Sequence, residues 1–318
     1  MSTMPPEVLG VLGRADFCHV ATTTPSGPHV TPMVFTVAGD RLWVTTARGS
    51  VKARGWARGP RVGGVVRHGR EAVAFIGEAT PYDVLDVRSW GRSLRETPTL
   101  ALASLRFTRK NARFFAGYAV DAHRVPLAWT PPGRVFAELR VERSVLIRDD
   151  IVVRSWGAWG ASVPSHERFR GVRTGAEPLA ALPSDIREDL GGRGKGVLAL
   201  EGEDGVVALP STWIVSGAGL YAVLPEPTLA LAGLGAPRVA AALVADRPSW
   251  WRARNMVGAM ARGRGDVFVE EGLASGARSA AAVAREAGVG PGDAAVVRVK
   301  PDSLVWWRGW SSGTVSVR

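Results

Sequence analysis

The run TARGSVKARGWAR, from Thr46 to Arg58, is the part of the chain best equipped for chemistry. Its Thr46, Arg48, Ser50, Lys52 and Arg54 follow directly on a segment rich in Val, Phe, Thr and Trp. Hydroxyls, a glycine and cations just past a strand end suit a phosphate, because charge-assisted donors converge there on a multivalent anion. On this reading Thr46, Arg48, Ser50 and Lys52 hold the anion and Arg54 supports them. The competing reading gives Thr46 and Ser50 ordinary strand-end hydrogen bonds and leaves Lys52 a solvated cation. No other grouping offers comparable chemistry. His19, His29, His68, His123 and His166 are dispersed without metal-ligand spacing, so no metal site is expected. A nucleophile elbow, a Walker loop and a Cys/His cluster are all lacking. Gly192–Gly196 (GRGKG) has neither the Walker spacing nor the trailing Ser/Thr, and reads as the start of a strand. The catalytic acid or base stays unassigned; for His29 strand packing is the favoured role.

The elements that must position the basic run are strands. Phe17–Thr24 and His29–Val37 form a hairpin around PSGP, and Ala38-Gly39-Asp40 turns the chain into Arg41–Thr46. Pro32 interrupts its strand, which argues for an edge or a bulge. Pro60–Arg67 and Glu71–Thr80 are the next strands. A helical region begins at Thr97, with Leu100, Leu102, Leu105, Ala112, Phe115 and Ala119 as its apolar positions. Val135–Arg148 alternates like a closing strand pair. Pro5–Arg14 reads as a short leading helix, and Pro183–Leu190 as another within a Gly/Pro/Ser-rich connection.

The ordered set Ala21-Thr22, Gly27, Pro28-His29-Val30, Pro32, Thr46, Lys52, Arg54 and Pro60-Arg61-Val62 resembles the pyridoxamine-phosphate-oxidase-like split β-barrels that bind flavins. Gly55 and Trp56 stand where Asn and Leu are common in that family. The resemblance implies a mainly β fold, a β-barrel with accessory helices. It also implies a non-covalent flavin whose ring edge meets backbone near Pro32.

The second half repeats the first. VALPSTWIVSGAGLYAVLPEPTLALAGLGAPRV can be laid over VTPMVFTVAGDRLWVTTARGSVKARGWARGPRV, with Pro210 on Pro32 and Pro237-Arg238-Val239 on Pro60-Arg61-Val62. The expected organisation is two tandem split barrels, residues 1–160 and 195–318, joined by a linker over 161–194. Barrels of this family pair as dimers around the flavin, so the tandem implies an internal pseudo-dimer, itself a monomer or a homodimer. In the overlay Arg48, Lys52 and Arg54 become Glu226, Ala230 and Ala232, so the phosphate loop is kept in the first copy and lost in the second. Trp213, Trp251 and Arg252 are the second copy's candidates for facing the ring; sealing the barrel interface is the alternative role for these tryptophans.

At 318 residues, 46% apolar and 22% charged, the chain fits a globular protein with two cores. The formal charge of +11 raises nucleic acid as a partner, but the basic residues are scattered and no recognition motif accompanies them. No leader and no apolar run of roughly 18 residues is seen, so a cytoplasmic location without membrane partners is expected. Lone Cys18 excludes an internal disulfide. The leading expectation is an FMN-dependent oxidoreductase acting on a small-molecule substrate. A reductase using the 8-hydroxy-5-deazaflavin coenzyme stays open, as does a non-enzymatic barrel that binds haem or no cofactor.

Overall fold

The computed structural model describes residues 4–83, 85–121, 133–161, 163–164, 177–249, 251–269, 280–289 and 294–317. Helix α1 (Pro6–Arg14) buries Val8, Val11 and Leu12 and leads into β1 (Phe17–Thr24), β2 (Gly27–Ala38) and β3 (Arg41–Ala47). The two hairpins close through two-residue turns, Thr24 pairing with Gly27 and Ala38 with Arg41. Gly39 supplies the positive φ that the second turn demands, and Gly27 takes a positive φ just after the Pro25-Ser26 turn. Helix α2 (Val51–Arg58) then crosses to β4 (Arg61–His68), followed by β5 (Glu71–Tyr82), β6 (Arg134–Arg148) and β7 (Ile151–Trp156). Strand order is β3-β2-β1-β4-β5-β6-β7, and pairing of β3 with β6 closes six strands into an antiparallel barrel.

The second half follows the same plan with β8 (Arg193–Gly202), β9 (Gly205–Ser216), β10 (Gly219–Pro225), β11 (Arg238–Arg247), β12 (Val257–Val269), β13 (Ala294–Arg308) and β14 (Ser311–Ser316). The order β10-β9-β8-β11-β12-β13-β14 closes through β10 and β13, so the expected mainly β fold of two tandem barrels is what the chain adopts. Its hairpins keep the two-residue turns, Gly202 opposite Gly205 and Ser216 opposite Gly219. Those turns fix which residues correspond, and one part of the sequence overlay shifts. Thr22 pairs with Val62, while the equivalent Leu200 pairs with Ala241. Pro60 therefore corresponds to Val239, and the Pro-Arg-Val triplets are two residues out of step.

Other expectations are refined. Pro32 lies in an unshifted ladder opposite His19, and β2 pairs with β3 only from Phe35 onward. It is an edge, with no bulge: the missing N–H falls where no strand asks for a donor. Residues 135–148 belong to one fifteen-residue strand, β6, kinked where its pairing with β5 shifts between Ile76 and Gly77. Between β5 and β6 stand α3 (Val87–Arg95), α4 (Thr97–Lys110) and α5 (Ala112–Val120). On these helices Ala103, Phe107, Phe114 and Gly117 are buried, whereas Leu102 and Leu105 face outward. The expected helix near Pro183–Leu190 is α6 (Ser184–Leu190). None of the described helices is long and apolar enough to cross a membrane.

The barrels pack through the outer faces of β1, β2, β4 and β5 against β8, β9, β11 and β12. Ala21, Val30, Val65, Ala74 and Ile76 share one apolar core with Val197, Leu200, Val207, Leu209, Leu243 and Met260 of the second barrel. Gly63 permits the closest approach, since a Cβ there would lie 2.6 Å from the Val206 carbonyl oxygen. Polar ties edge this core: half-buried Arg67 donates to the Gly196 and Ser211 carbonyls, and His19 Nε2 meets Asp246 Oδ2 at 2.8 Å. Arg67 and Asp246 occupy equivalent positions, so each barrel extends a charged side chain from the same strand position toward its neighbour's first hairpin.

Gly63→Val should push these backbones apart and cost roughly 1–3 kcal/mol. Gly13→Ala, with open space around its Cβ, should be neutral or slightly stabilising. Thermal unfolding checks both, and equal melting temperatures for wild type and Gly63→Val would contradict the interface.

Candidate functional site

The basic run folds as a strand end and a helix start. Thr46 is buried at the end of β3, and its Oγ1 lies 3.0 Å from Ser50 Oγ. Ser50 caps α2, accepting the Ala53 N–H at 3.1 Å. Lys52 turns inward and donates to Thr31 Oγ1 on β2. Gly55 lets the helix settle onto β1, because a Cβ at that position would sit 2.8 Å from Thr22 Oγ1. Barrel closure then brings in Arg134, at the start of β6, which donates to Thr45 Oγ1 at 3.0 Å and to the Thr45 carbonyl at 2.9 Å.

The electrostatics are those of a pocket short of negative charge. Burial, reinforced by the nearby Arg134 cation, lowers the Lys52 pKa to about 8. Among the described residues no carboxylate pairs with Lys52. His29, buried on β2 two residues before Thr31, has its pKa lowered to about 3 by burial and by the charges of Lys52 and Arg262. It is therefore a neutral imidazole at ordinary pH. Its Nδ1 and the Thr22 hydroxyl are buried without a hydrogen-bond partner among the described residues. Unsatisfied buried polar atoms beside a lysine that no carboxylate neutralises are costly unless a further polar or charged group meets them.

Not every expected residue joins this cradle. Arg48 is engaged by Asp83 through two contacts of 2.7 Å, so its charge is already neutralised. The Asp83 carboxyl, which burial alone would raise, is held below its ordinary value by that guanidinium and the Leu85 N–H. Arg54 is exposed. Two residues on from Lys52, it projects from the opposite side of the helix. Pro32 is half-buried beside Thr31. Trp213 is 2% exposed in the second barrel's core, against Gly194 and Gly196. Its ring belongs to packing. Trp251 is half-exposed, and its carbonyl lies against Gly117 of α5. Arg252 has a buried Nε with no hydrogen-bond partner among the described residues. Both lie on the long β11–β12 connection, which replaces the two-residue β4–β5 turn of the first copy. Trp250 lies outside the described residues.

The second copy offers none of this. By the strand registers Thr31, Thr45, Thr46 and Arg134 correspond to Leu209, Val223, Leu224 and Ala294, and His29 to Val207. Counting on from the strand end, Lys52 corresponds to Ala230. The connection after β7 fills the space there, with Gly160 so close to Gly233 and the Ala230 carbonyl that no side chain would fit.

Sequence reasoning did not find Thr31 or Arg134. Arg134 is brought beside Thr45 by the pairing of β3 with β6, across almost ninety intervening residues, and local sequence carries no sign of it. Among the described residues no group of His, Cys, Asp and Glu side chains could hold a metal ion.

Comparison with known proteins finds one matching family model, which falls on the first barrel. The family model described as pyridoxamine 5'-phosphate oxidase matches residues 5–79. No curated protein matches the chain. A pyridoxamine 5'-phosphate oxidase-related, FMN-binding protein from Nostoc punctiforme is 18% identical over 46% of this chain and 87% of its own, with a TM-score of 0.34. A pyridoxamine 5'-phosphate oxidase from Listeria innocua is 14% identical over 44% and 94%, with a TM-score of 0.28. An FAD-binding protein from Mesorhizobium loti is 20% identical over 46% and 95%, with a TM-score of 0.32. The matched residues run from α1 into β5 and include every residue of the cradle except Arg134, on β6. The family match thus falls on the first barrel, from α1 into β5, and the two halves of the chain follow one barrel plan.

Proposed function

We propose that the protein is a flavin-dependent oxidoreductase that binds one FMN per chain, its phosphate held by Thr46, Ser50, Lys52 and Arg134. The observation that carries this reading is the half-buried Lys52 ammonium, turned inward onto Thr31, close to Arg134 and without a carboxylate partner among the described residues. A phosphate supplies the missing negative charge and accepts from Lys52, Arg134 and the hydroxyls together. Thr22 and His29 offer further polar atoms to the ribityl chain or ring edge. Bound flavin would supply hydride chemistry; the chain contributes binding, orientation and exclusion of water. The second barrel supplies the wall that a separate subunit provides in a dimer, with Arg252 and Trp251 on the connection leaning toward α5.

Spectroscopic titration with FMN tests the site. Lys52→Ala should weaken binding by roughly 1.5–3 kcal/mol, the range for a charge-assisted contact, and Arg134→Ala by a similar amount. Arg54→Ala should leave affinity within about twofold of wild type, because an exposed cation contributes little. Equal affinity in wild type and Lys52→Ala would remove the assignment. A parallel titration with the deazaflavin coenzyme distinguishes the two phosphate-bearing cofactors, since tight uptake of that compound alone would replace FMN in this reading.

The pH dependence follows from Lys52. Below about pH 8 the free protein carries the ammonium, and only that form attracts phosphate. Affinity should be full at pH 7 and fall as the pH rises through 8 toward 10, while Lys52→Arg should flatten the profile. An affinity independent of pH over this range in wild type would show that Lys52 does not face the anion.

A further inference from the structure

A second basic space opens beyond His29, between the β1–β2 turn of the first barrel and the β11–β13 face of the second. It has a volume of about 410 Å³ and is lined by Ser26, Gly27, Ala240, Arg262, Gly263, Arg264, Asp302 and Ser303. Its floor is a β-bulge at Arg262/Gly263 opposite Asp302, a device that re-aims side chains where it occurs. Arg262 donates to Ser303 Oγ at 3.2 Å, and no carboxylate pairs with Arg262 or Arg264 among the described residues. Two guanidinium groups therefore share a concave space with a single acid, Asp302.

The pseudo-symmetric position shows what a closed version of this space looks like. There the bulge carries Ile76 and Gly77, and the facing residues are Arg61, Glu142, Arg143 and Asp204. Arg61 pairs with Glu142, and Arg143 with Asp204 at 2.7 Å, so that side seals itself with ion pairs. The first side replaces these residues by Ala240, Asp302, Ser303 and Ser26, and replaces Ile76 by Arg262. Small side chains and one acid stand where the other copy has matched charges, and Arg262 and Arg264 replace Ile76 and Glu78. The open side is also the one that adjoins the phosphate cradle, since His29 feels the charges of Lys52 and Arg262 together.

We infer that this cleft is a subsite for a small organic monocarboxylate, its carboxylate held by Arg262 and Arg264 and its remaining groups directed past Gly27 toward His29. A guanidinium meets a planar carboxylate in a two-pronged geometry, and two such groups at the bulge outweigh the one opposing acid. Asp302 makes the cleft a poor host for a dianion. That the carboxylate belongs to the substrate rests on the flavin reading; that the cleft binds it does not.

Benzoate is the probe, with inorganic phosphate beside it, added to the full-length protein free of cofactor. Backbone amide resonances of Gly27, Ala240 and Gly263 should shift saturably with benzoate and less with phosphate. Arg262→Gln and Arg264→Gln should each weaken benzoate binding tenfold or more, while FMN affinity stays within twofold of wild type. Arg262→Lys, which keeps charge and bulk, guards against a folding defect and should bind at an intermediate level. Unmoved amides in the wild type, or unchanged benzoate affinity in both Gln variants, would overturn the subsite. A tenfold loss of FMN affinity in Arg262→Gln would also overturn it, by giving the cleft to the cofactor. Benzoate bound at these amides in a protein that takes up no flavin would uphold the cleft and remove the proposed function instead.

Discussion

The contact between the two barrels, where the backbone of β4 at Gly63 meets that of β9 at Val206, sets the terms for the rest of the molecule. Six-stranded barrels of this length have outer faces too apolar to leave in water: Ala21, Val30, Val65 and Ile76 project outward from the first barrel and need a partner. Covalent tandem linkage supplies that partner without an association step. Once the faces are joined, the equivalent hairpin tips Gly27 and Gly205 lie against the equivalent positions Ala240 and Arg61. The pairing of these strands is symmetric in backbone, so differences between the two sides come from side chains and from the connections that join the strands.

Those differences run in one direction. The first barrel gathers threonines, a serine, a lysine and an arginine about the end of β3; the second keeps a hydroxyl at the serine position, as Thr228, and fills the others with Leu, Val and Ala. Keeping the lysine turned inward lowers its pKa, which means that the folded protein carries an electrostatic cost in the absence of an anion. The second copy has escaped that cost by becoming apolar, and the connection after β7 now packs into its former opening. Retention of the costly arrangement in one copy alone is the mark of a site, because a purely structural role would be served equally well by the apolar version.

Much of this was legible in the sequence because it is local. Turn residues at Gly27 and Gly39 fix the hairpins, and Ser50 with Lys52 announces the cradle within a few residues of a strand end. At Arg48 and Arg134 the failure comes from distance, and at Arg54 and Trp213 from the direction in which the element points the side chain. Arg48 looked free until Asp83, thirty-five residues away, took up its charge. Arg54 looked like support until the helical angle turned it outward. Arg134 had no local signature, since only barrel closure places it beside Thr45. The matching Pro-Arg-Val triplets suggested one overlay, while the hydrogen-bond ladder imposes another. Trp213 resembled a ring-facing residue by composition, but strand alternation directs it into the second barrel's core.

The stoichiometry of flavin uptake tests this account most directly. Titration of the full 318-residue chain with FMN, followed by absorbance and by equilibrium dialysis, should saturate at one flavin per chain. Saturation at two would show that the apolar second copy also binds, and no uptake of FMN would show that the inward-turned cations of the first barrel serve a different anion.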